Sequence, residues 1–295
     1  STYPFDNLAV NKIAKAANAK YVYEIHDLWP LTPKELGGYS KYNIFIMIMQ
    51  AAENQAYKNC NHVISILPKT LEHTVRHGLN PQKWNYVPNG INIEEWNNFA
   101  AIPEKHREIL SELRNNGFKI IGYIGTHGLA NALDCLIEAS KLITADNVVF
   151  VFVGKGNQKE NLIDKTRELK NIIFLDPVLK RSVPCLLKYF DILYIGWTKN
   201  PIYRFGISPN KIFDYMMSGK PIIHSVKAGN DIVAESNSGI SVEPENRQEI
   251  ADAIRKLLDM PESKLNDMGR SGKDFVLKYH NYSILAESFL KIILQ

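Results

Sequence analysis

From Phe118 onward one rhythm recurs: a short β-branched apolar run, a loop holding Gly, Pro, Asn or Asp, then a segment of helical period. The runs are KIIGYIG (119–125), VVFVFVG (148–154), NIIFL (171–175), FDILYIG (190–196), KPIIH (220–224) and GISV (239–242). Strands joined through helices run parallel, and the helices then cover both faces of the sheet. Such strands are continuously apolar, as these are, rather than alternating. A doubly wound α/β domain is predicted. The rhythm is shorter before it, with strands expected at YVYEI (21–25), HVISI (62–66) and WNYVP (84–88). A Rossmann half opens on a strand and a glycine-rich turn. Nothing before Tyr21 supplies one and the chain begins at Ser1 without Met, so the N-terminal domain is expected to be incomplete. Residues 89–103, with an Asn-Gly pair, a Pro and little periodicity, read as a linker. The expected division is 1–98, 99–280 and a closing helical segment, 281–295. At 295 residues and 45% hydrophobic content the chain can bury a core in each domain.

Several function classes fall away. Lys and Arg exceed Asp and Glu by only 35 to 31, with no local focus, which does not favour nucleic acid as a partner. Cys60, Cys135 and Cys185 are scattered and form no CxxC pair, so neither a disulfide framework nor a cysteine zinc site is suggested, and a reducing cytosol fits. No apolar run reaches the ~18 residues of a bilayer span. IFIMIM (44–49) is nonetheless apolar on every side, ahead of residues 51–57, which read as helix. A helix buried between layers is one reading; an element on the membrane surface, flanked by Lys34, Lys41 and Lys58, is the other.

The most informative stretch is FGISPNKIFDYMMSGKP (205–221). Ser208 is a suitable N-cap and Pro209 a suitable first helical residue, with Asn210 next, and the helix should stop at Gly219. Its N-terminus would offer free N–H groups and a positive dipole end to an anion at the carboxyl edge of the sheet. Lys211 opposes that dipole, which an anionic ligand explains. Asp214, a turn later, can accept hydrogen bonds from a ribose diol. These residues resemble the donor helix of the family 4 glycosyltransferases of the GT-B fold, in which a Glu-x7-Glu motif runs into Glu-Ala-Met-Ala-x-Gly-x-Pro. Asp214 falls on the second Glu, which binds ribose, and Gly206 on the first, which contacts the transferred sugar. The SPNK run is similar to the branch that builds bacterial surface polysaccharide, including N-acetyl-fucosamine and hexosamine transferases.

GYIGTHGLANALDCLIEA (122–139) lies without gaps on the family's first C-terminal strand, loop and helix, Gly-Arg-x4-Lys-Gly. Thr126 stands for the Arg and Asn131 for the Lys, the two cations that neutralise the donor diphosphate. Lys211, Arg204 and Lys155 are the candidates to replace them. The resemblance thus places donor contacts at Gly125, Thr126, His127, Gly128 and Asn131, at Gly154 and Lys155, at Val178, and at Arg204, Ser208, Pro209, Asn210, Lys211 and Asp214. EIHDLWP (24–30) resembles the family's His-Asp strand end, making His26 and Asp27 the catalytic candidates across the cleft. VPNGIN (87–92) resembles the turn that closes the N-terminal domain.

His73 and His77 have a metal-capable i, i+4 spacing, but no third ligand is attached by motif, and a solvated helix face is expected. No DxD occurs in the chain, so a departing diphosphate would be stabilised by Lys, backbone N–H groups and the helix end, without metal or cofactor. The resemblance therefore implies two Rossmann-like domains facing a cleft. It implies retaining transfer of an N-acetylated hexose from a UDP-sugar to a lipid-linked or polysaccharide acceptor, in the cytoplasm or at the inner face of the plasma membrane. A GT-B nucleotide-sugar epimerase and a non-catalytic donor-binding module are the alternatives.

Overall fold

The structure, a computed structural model, describes residues 4–294. All nine strands among them are parallel. β1 (Val22–Ile25), β2 (His62–Ser65) and β3 (Trp84–Tyr86) form a three-stranded sheet in chain order. β4 (Lys119–Ile124), β5 (Val148–Val153), β6 (Ile172–Leu175), β7 (Ile192–Gly196), β8 (Ile222–Ser225) and β9 (Gly239–Val242) form a second sheet, ordered β6-β5-β4-β7-β8-β9. Strand order reverses between β4 and β7. In an open α/β sheet this reversal opens a crevice at the carboxyl ends of the two strands, where ligands bind.

The period of two along each strand divides the second domain into two cores. Ile120, Val149, Val151, Leu193, Ile195 and Ile222 face one way, against Leu186, Leu187 and the helix Asn210–Met217 through Ile212, Phe213 and Met216. Ile121, Tyr123, Phe150, Phe152, Tyr194 and Ile223 face the other, against Leu133, Leu136, Ile137, Ile250, Ile254 and Leu257. Burial on both faces is why these strands carry no polar alternation. In the smaller sheet Tyr23, Ile25 and Val63 pack on Tyr57 and Leu79. Its Ile64 meets Val87 together with Leu285 and Ile292 of the last helix, Tyr282–Leu294, which therefore lies on the N-terminal sheet.

Four expectations need correction. The helix in FGISPNKIFDYMMSGKP begins at Asn210, with Pro209 extended (φ −78°, ψ 132°) at its N-cap and no side-chain cap; Ser208 therefore does not cap it. At its other end Ser218 is the C-cap and Gly219 takes the left-handed turn (φ +70°). Residues 89–103 are not wholly irregular, because the Asn92 side chain accepts from Glu94 and Glu95 N–H and starts a short helix, Ile93–Asn97. The helix Ile44–Asn59 includes all of IFIMIM, but only Ile46 and Met49 of that run are buried, leaving Ile44, Phe45, Met47 and Ile48 half exposed or more. His73 and His77 are not on a solvated face: they lie against Glu53, Gln50 and Phe205. Among the described residues no helix is long and apolar enough to cross a membrane.

Candidate active site

The loops after β4 and β5 meet backbone to backbone. Gly154 (φ +153°) sits so close that a Cβ there would lie 1.9 Å from the Gly125 carbonyl oxygen, so no other residue fits without moving the loop. A Gly156 Cβ would come within 2.2 Å of the His127 carbonyl oxygen. Thus covered, His127 turns inward, fully buried among Tyr123, Phe152 and Phe174, and presents no side chain to a donor. Burial, helped by Lys159 and Lys211, pulls its pKa down to about 4, so the ring is neutral. Thr126 is exposed, and its carbonyl accepts from Tyr123 Oη (2.8 Å) and Asn131 Nδ2 (3.0 Å), folding the loop onto itself.

Lys211 reaches this loop from the first turn of the helix Asn210–Met217. Its ammonium donates to Tyr123 Oη at 2.8 Å and Asn131 Oδ1 at 3.2 Å, over the Tyr123 ring, and would lie 2.8 Å from a Cβ on Gly125. It has no ion pair among the described residues, and burial lowers its pKa to about 8. A buried ammonium without a counter-charge is costly. Placed at the switch point beside a helix N-terminus, it suits an anion. Asp214, 6% exposed, lies a turn further along and is paired with Lys180. Burial raises the Asp214 pKa, with Lys180 opposing the rise. These two residues and Asn210 line a cavity of about 160 Å³ together with Gly90, Asn92, Trp96 and Tyr282.

A second cavity, about 340 Å³, lies between the two sheets and is lined by His26, Asp27, Trp197, Tyr203, Ser208 and Pro209. His26 and Asp27 follow β1, and His26 Nε2 is 2.9 Å from Glu24 Oε2. Burial raises the pKa of Asp27. Ser208 is held by the Asn89 turn: its Oγ accepts from Asn89 N–H (2.9 Å) and its carbonyl from Asn89 Nδ2 (2.6 Å). The Asn89 carbonyl lies 3.0 Å from His280 Nδ1. Gly206 (φ +98°) packs on Pro68, whose Cδ would be 2.4 Å from a Cβ, so this position accepts no acidic side chain. Asn230 brackets the turn instead, accepting from Ile207 N–H (2.8 Å) and donating to its carbonyl (3.1 Å).

The predicted residues thus form two groups. Gly125, Asn131 and Gly154 gather round Lys211, while Ser208 and Pro209 join His26 and Asp27 across the cleft. Gly128 lies on the first loop and Lys155 is exposed on the loop after β5. Val178 packs against the core below the Lys180 turn. Arg204 is not with Lys211: its guanidinium makes two 2.7 Å bonds to Glu35 and so ties the second domain to the helix Leu31–Gly37 of the first. Sequence reasoning missed Tyr123, Lys180 and Asn230, whose roles come from partners 34 residues or more away for Lys180 and 88 for Tyr123.

Comparison with known proteins gives a consistent picture. A family model described as glycosyl transferases group 1 matches residues 118–260, and one described as glycosyltransferase family 4 matches residues 1–95. The chain is 24% identical over 277 residues to WcaI of Escherichia coli K12, described as a colanic acid biosynthesis glycosyl transferase, covering 91% of this chain and 67% of that protein. Among solved structures, HepE of Anabaena in complex with UDP and glucose superposes with a TM-score of 0.73 at 16% identity, covering 98% of this chain and 75% of that one. WaaG, a glycosyltransferase involved in lipopolysaccharide biosynthesis, gives 0.69 at 16% identity, covering 95% and 79%. Two parallel sheets facing a cleft in this arrangement are the GT-B fold.

Proposed function

We propose that this chain, whose two halves match models of the family 4 and group 1 glycosyltransferases within a GT-B fold, moves an N-acetylated hexose from a UDP-sugar to a lipid-linked or polysaccharide acceptor. Transfer proceeds with retention and without a metal at the diphosphate. The observation that carries this reading is the buried, unpaired ammonium of Lys211 between the glycine loop and the start of the helix Asn210–Met217. Donor diphosphate charge grows as the bond to the sugar breaks, and a preorganised cation with helix N–H groups stabilises that charge most where water is excluded. Asp214 lies on the same helix, in the neighbouring cavity, where its carboxylate can accept from the ribose hydroxyls. His26 and Asp27 face Ser208 across the larger cavity, where the sugar and the acceptor hydroxyl would meet.

The acceptor side has its own support. WcaI and WaaG carry names tied to colanic acid and lipopolysaccharide, whereas HepE, solved with UDP and glucose, bears on the nucleotide of the donor. On the N-terminal domain, exposed Ile44, Phe45, Met47 and Ile48, with Tyr42 and Lys41 beside them, form an apolar and basic edge suited to a membrane surface from which a lipid-linked acceptor is presented. The test is calorimetric titration with UDP, GDP and ADP in EDTA, followed by transfer assays with the UDP-sugars. UDP should bind best and still bind in EDTA. Loss of UDP binding on chelation, or preference for another base, overturns the assignment.

A further inference from the structure

The packing of the helices Ile44–Asn59 and Leu71–Arg76, which flank β2 in the chain, brings together three metal-capable side chains that the donor chemistry does not use. Glu53 comes from the first helix; His73 lies on the second, and His77 is its C-cap. One ligating atom from each lies within 4.8 Å of the other two. The Glu53 side chain is 2% exposed and that of His73 10%. His73 Nε2 is buried with no hydrogen-bond partner among the described residues, and stands 3.6 Å from Glu53 Oε1, too far for a hydrogen bond. Two ligands held at ~2.0–2.1 Å on a tetrahedral zinc ion are about 3.3–3.4 Å apart. The Glu53–His73 pair is already close to that separation, and the ligand atom of His77, within 4.8 Å of both, would have to move in to complete the site.

The surroundings also prepare the ligands. Tyr57 Oη donates to Glu53 Oε1 (2.8 Å) and Gln50 Nε2 to Glu53 Oε2 (2.7 Å), fixing the carboxylate. Gln50 Nε2 also lies 2.9 Å from Asn54 Oδ1 and 3.0 Å from His77 Nδ1, which makes three acceptors for two hydrogens. His77 Nδ1 is better used as a donor to Asn54 Oδ1, 3.1 Å away, and the ring's lone pair then falls on Nε2. Outer partners of this kind orient the ligands of bound metals.

We propose that Glu53, His73 and His77 bind one divalent transition-metal ion of the zinc class, with water completing the coordination, and that the ion pins the two helices together. Two imidazoles and a carboxylate are a donor set that suits zinc or cobalt and not magnesium or calcium. The adjoining cavity of about 390 Å³ also holds Lys34, Lys69, Arg76 and Arg204, which would draw an anion. Arg76 and Arg204 are already paired, with Glu72 and Glu35, and an anion at His73 would have to sit against the buried Glu53 carboxylate. The observations favour the cation. The site shares no residue with the Lys211 pocket, and its test does not depend on how the donor is held.

The experiment uses the full chain, stripped with a chelator and desalted. Calorimetry with Zn²⁺ should show one equivalent bound, and the thermal midpoint should rise and fall back on adding EDTA. Co²⁺ should give tetrahedral d–d absorption without the intense near-ultraviolet band of a thiolate, which separates this site from Cys60, Cys135 and Cys185. His73→Gln and His77→Gln should each lose the equivalent. Absence of stoichiometric binding to the wild type overturns the proposal without recourse to any variant. Binding unchanged in both variants, or stabilisation by inorganic phosphate in place of Zn²⁺, overturns it equally.

Discussion

Replacing Lys211 by Met removes the ammonium while keeping an unbranched chain of similar length in the buried slot between Tyr123 and Gly125. In the ligand-free protein the ammonium is held by two neutral oxygens, Tyr123 Oη and Asn131 Oδ1, and burial lowers its pKa from 10.5 to about 8. That depression is a stability cost on the order of 3 kcal/mol, since a unit of pKa shift is about 1.4 kcal/mol. The cost is present below pH 8 and disappears as pH rises from 8 towards 10.5, where the folded protein releases its proton before the unfolded chain does. Lys211→Met should therefore be at least as stable as the wild type at pH 7, and its advantage should shrink above pH 8. Ligand binding should move the other way. A charge-assisted hydrogen bond to a diphosphate is worth about 1.5–3 kcal/mol, so UDP should bind roughly ten- to a hundred-fold more weakly to the variant. Uridine, lacking phosphate, should bind within about two-fold of wild type, on the same reasoning about charge. In the wild type, UDP affinity should be flat below pH 8 and fall towards ten-fold per pH unit above it, because the ligand selects the protonated lysine; the variant should lack that slope. Calorimetric titration of UDP and uridine between pH 7 and 9.5 reads all of this. Equal losses for the two ligands, or the same slope in both proteins, would refute the assignment of Lys211 to the diphosphate.

Two further outcomes follow from the geometry. Gly206→Glu, which restores the acid that the family resemblance places here, should not restore a sugar contact; left-handed strain of about 1–3 kcal/mol plus the Pro68 clash should lower the thermal midpoint by several degrees, and a stable, more active variant would contradict the packing seen at Gly206. The double change Ile44→Ser with Ile48→Ser alters exposed side chains only, so it should leave the midpoint within a degree or two while weakening liposome flotation by about ten-fold or more, each half-buried Ile being worth ~1 kcal/mol; a collapse of the midpoint would instead mark this face as part of a core.

The second sheet was readable because its strands are buried on both faces, so continuous apolar runs announced both the strands and their parallel pairing. The placement of Lys211 and Asp214 about a turn apart on one helix was readable for a different reason: it is a local relation. Where tertiary partners decide, the sequence misleads. Ser208 has the chemistry of a cap, but its hydroxyl is engaged by Asn89, 119 positions away, and Pro209 remains extended. His127 lies in a loop aligned with donor contacts, yet Gly156 covers its backbone and turns the ring into the core. Four of the six residues of IFIMIM are exposed because only Ile46 and Met49 face the domain, a distinction invisible when all six residues are apolar. The spacing of His73 and His77 was visible, but Glu53 joins them only through the packing of two helices, and nothing in the local pattern carries that information.

The departures from the family pattern make more sense together than singly. Around the diphosphate the family resemblance implies two loop cations and one acid near the transferred sugar, a formal sum of plus one. Here Thr126, Asn131 and Gly206 are neutral and Lys211 supplies a single cation, so the sum is again plus one, with Asp214 common to both arrangements. The lysine also reaches the vacated place, since its ammonium sits 3.2 Å from Asn131 Oδ1, at the position where the loop cation would begin. The difference is in solvation. Lys211 approaches from the helix, under the loop, and its ammonium is largely withdrawn from water before any ligand arrives. A lysine in the first turn opposes the helix dipole, which makes SPNK a poor choice for the helix alone. It becomes a sensible one when the loop has lost its cations and the helix start must supply both the charge and the N–H groups to one anion.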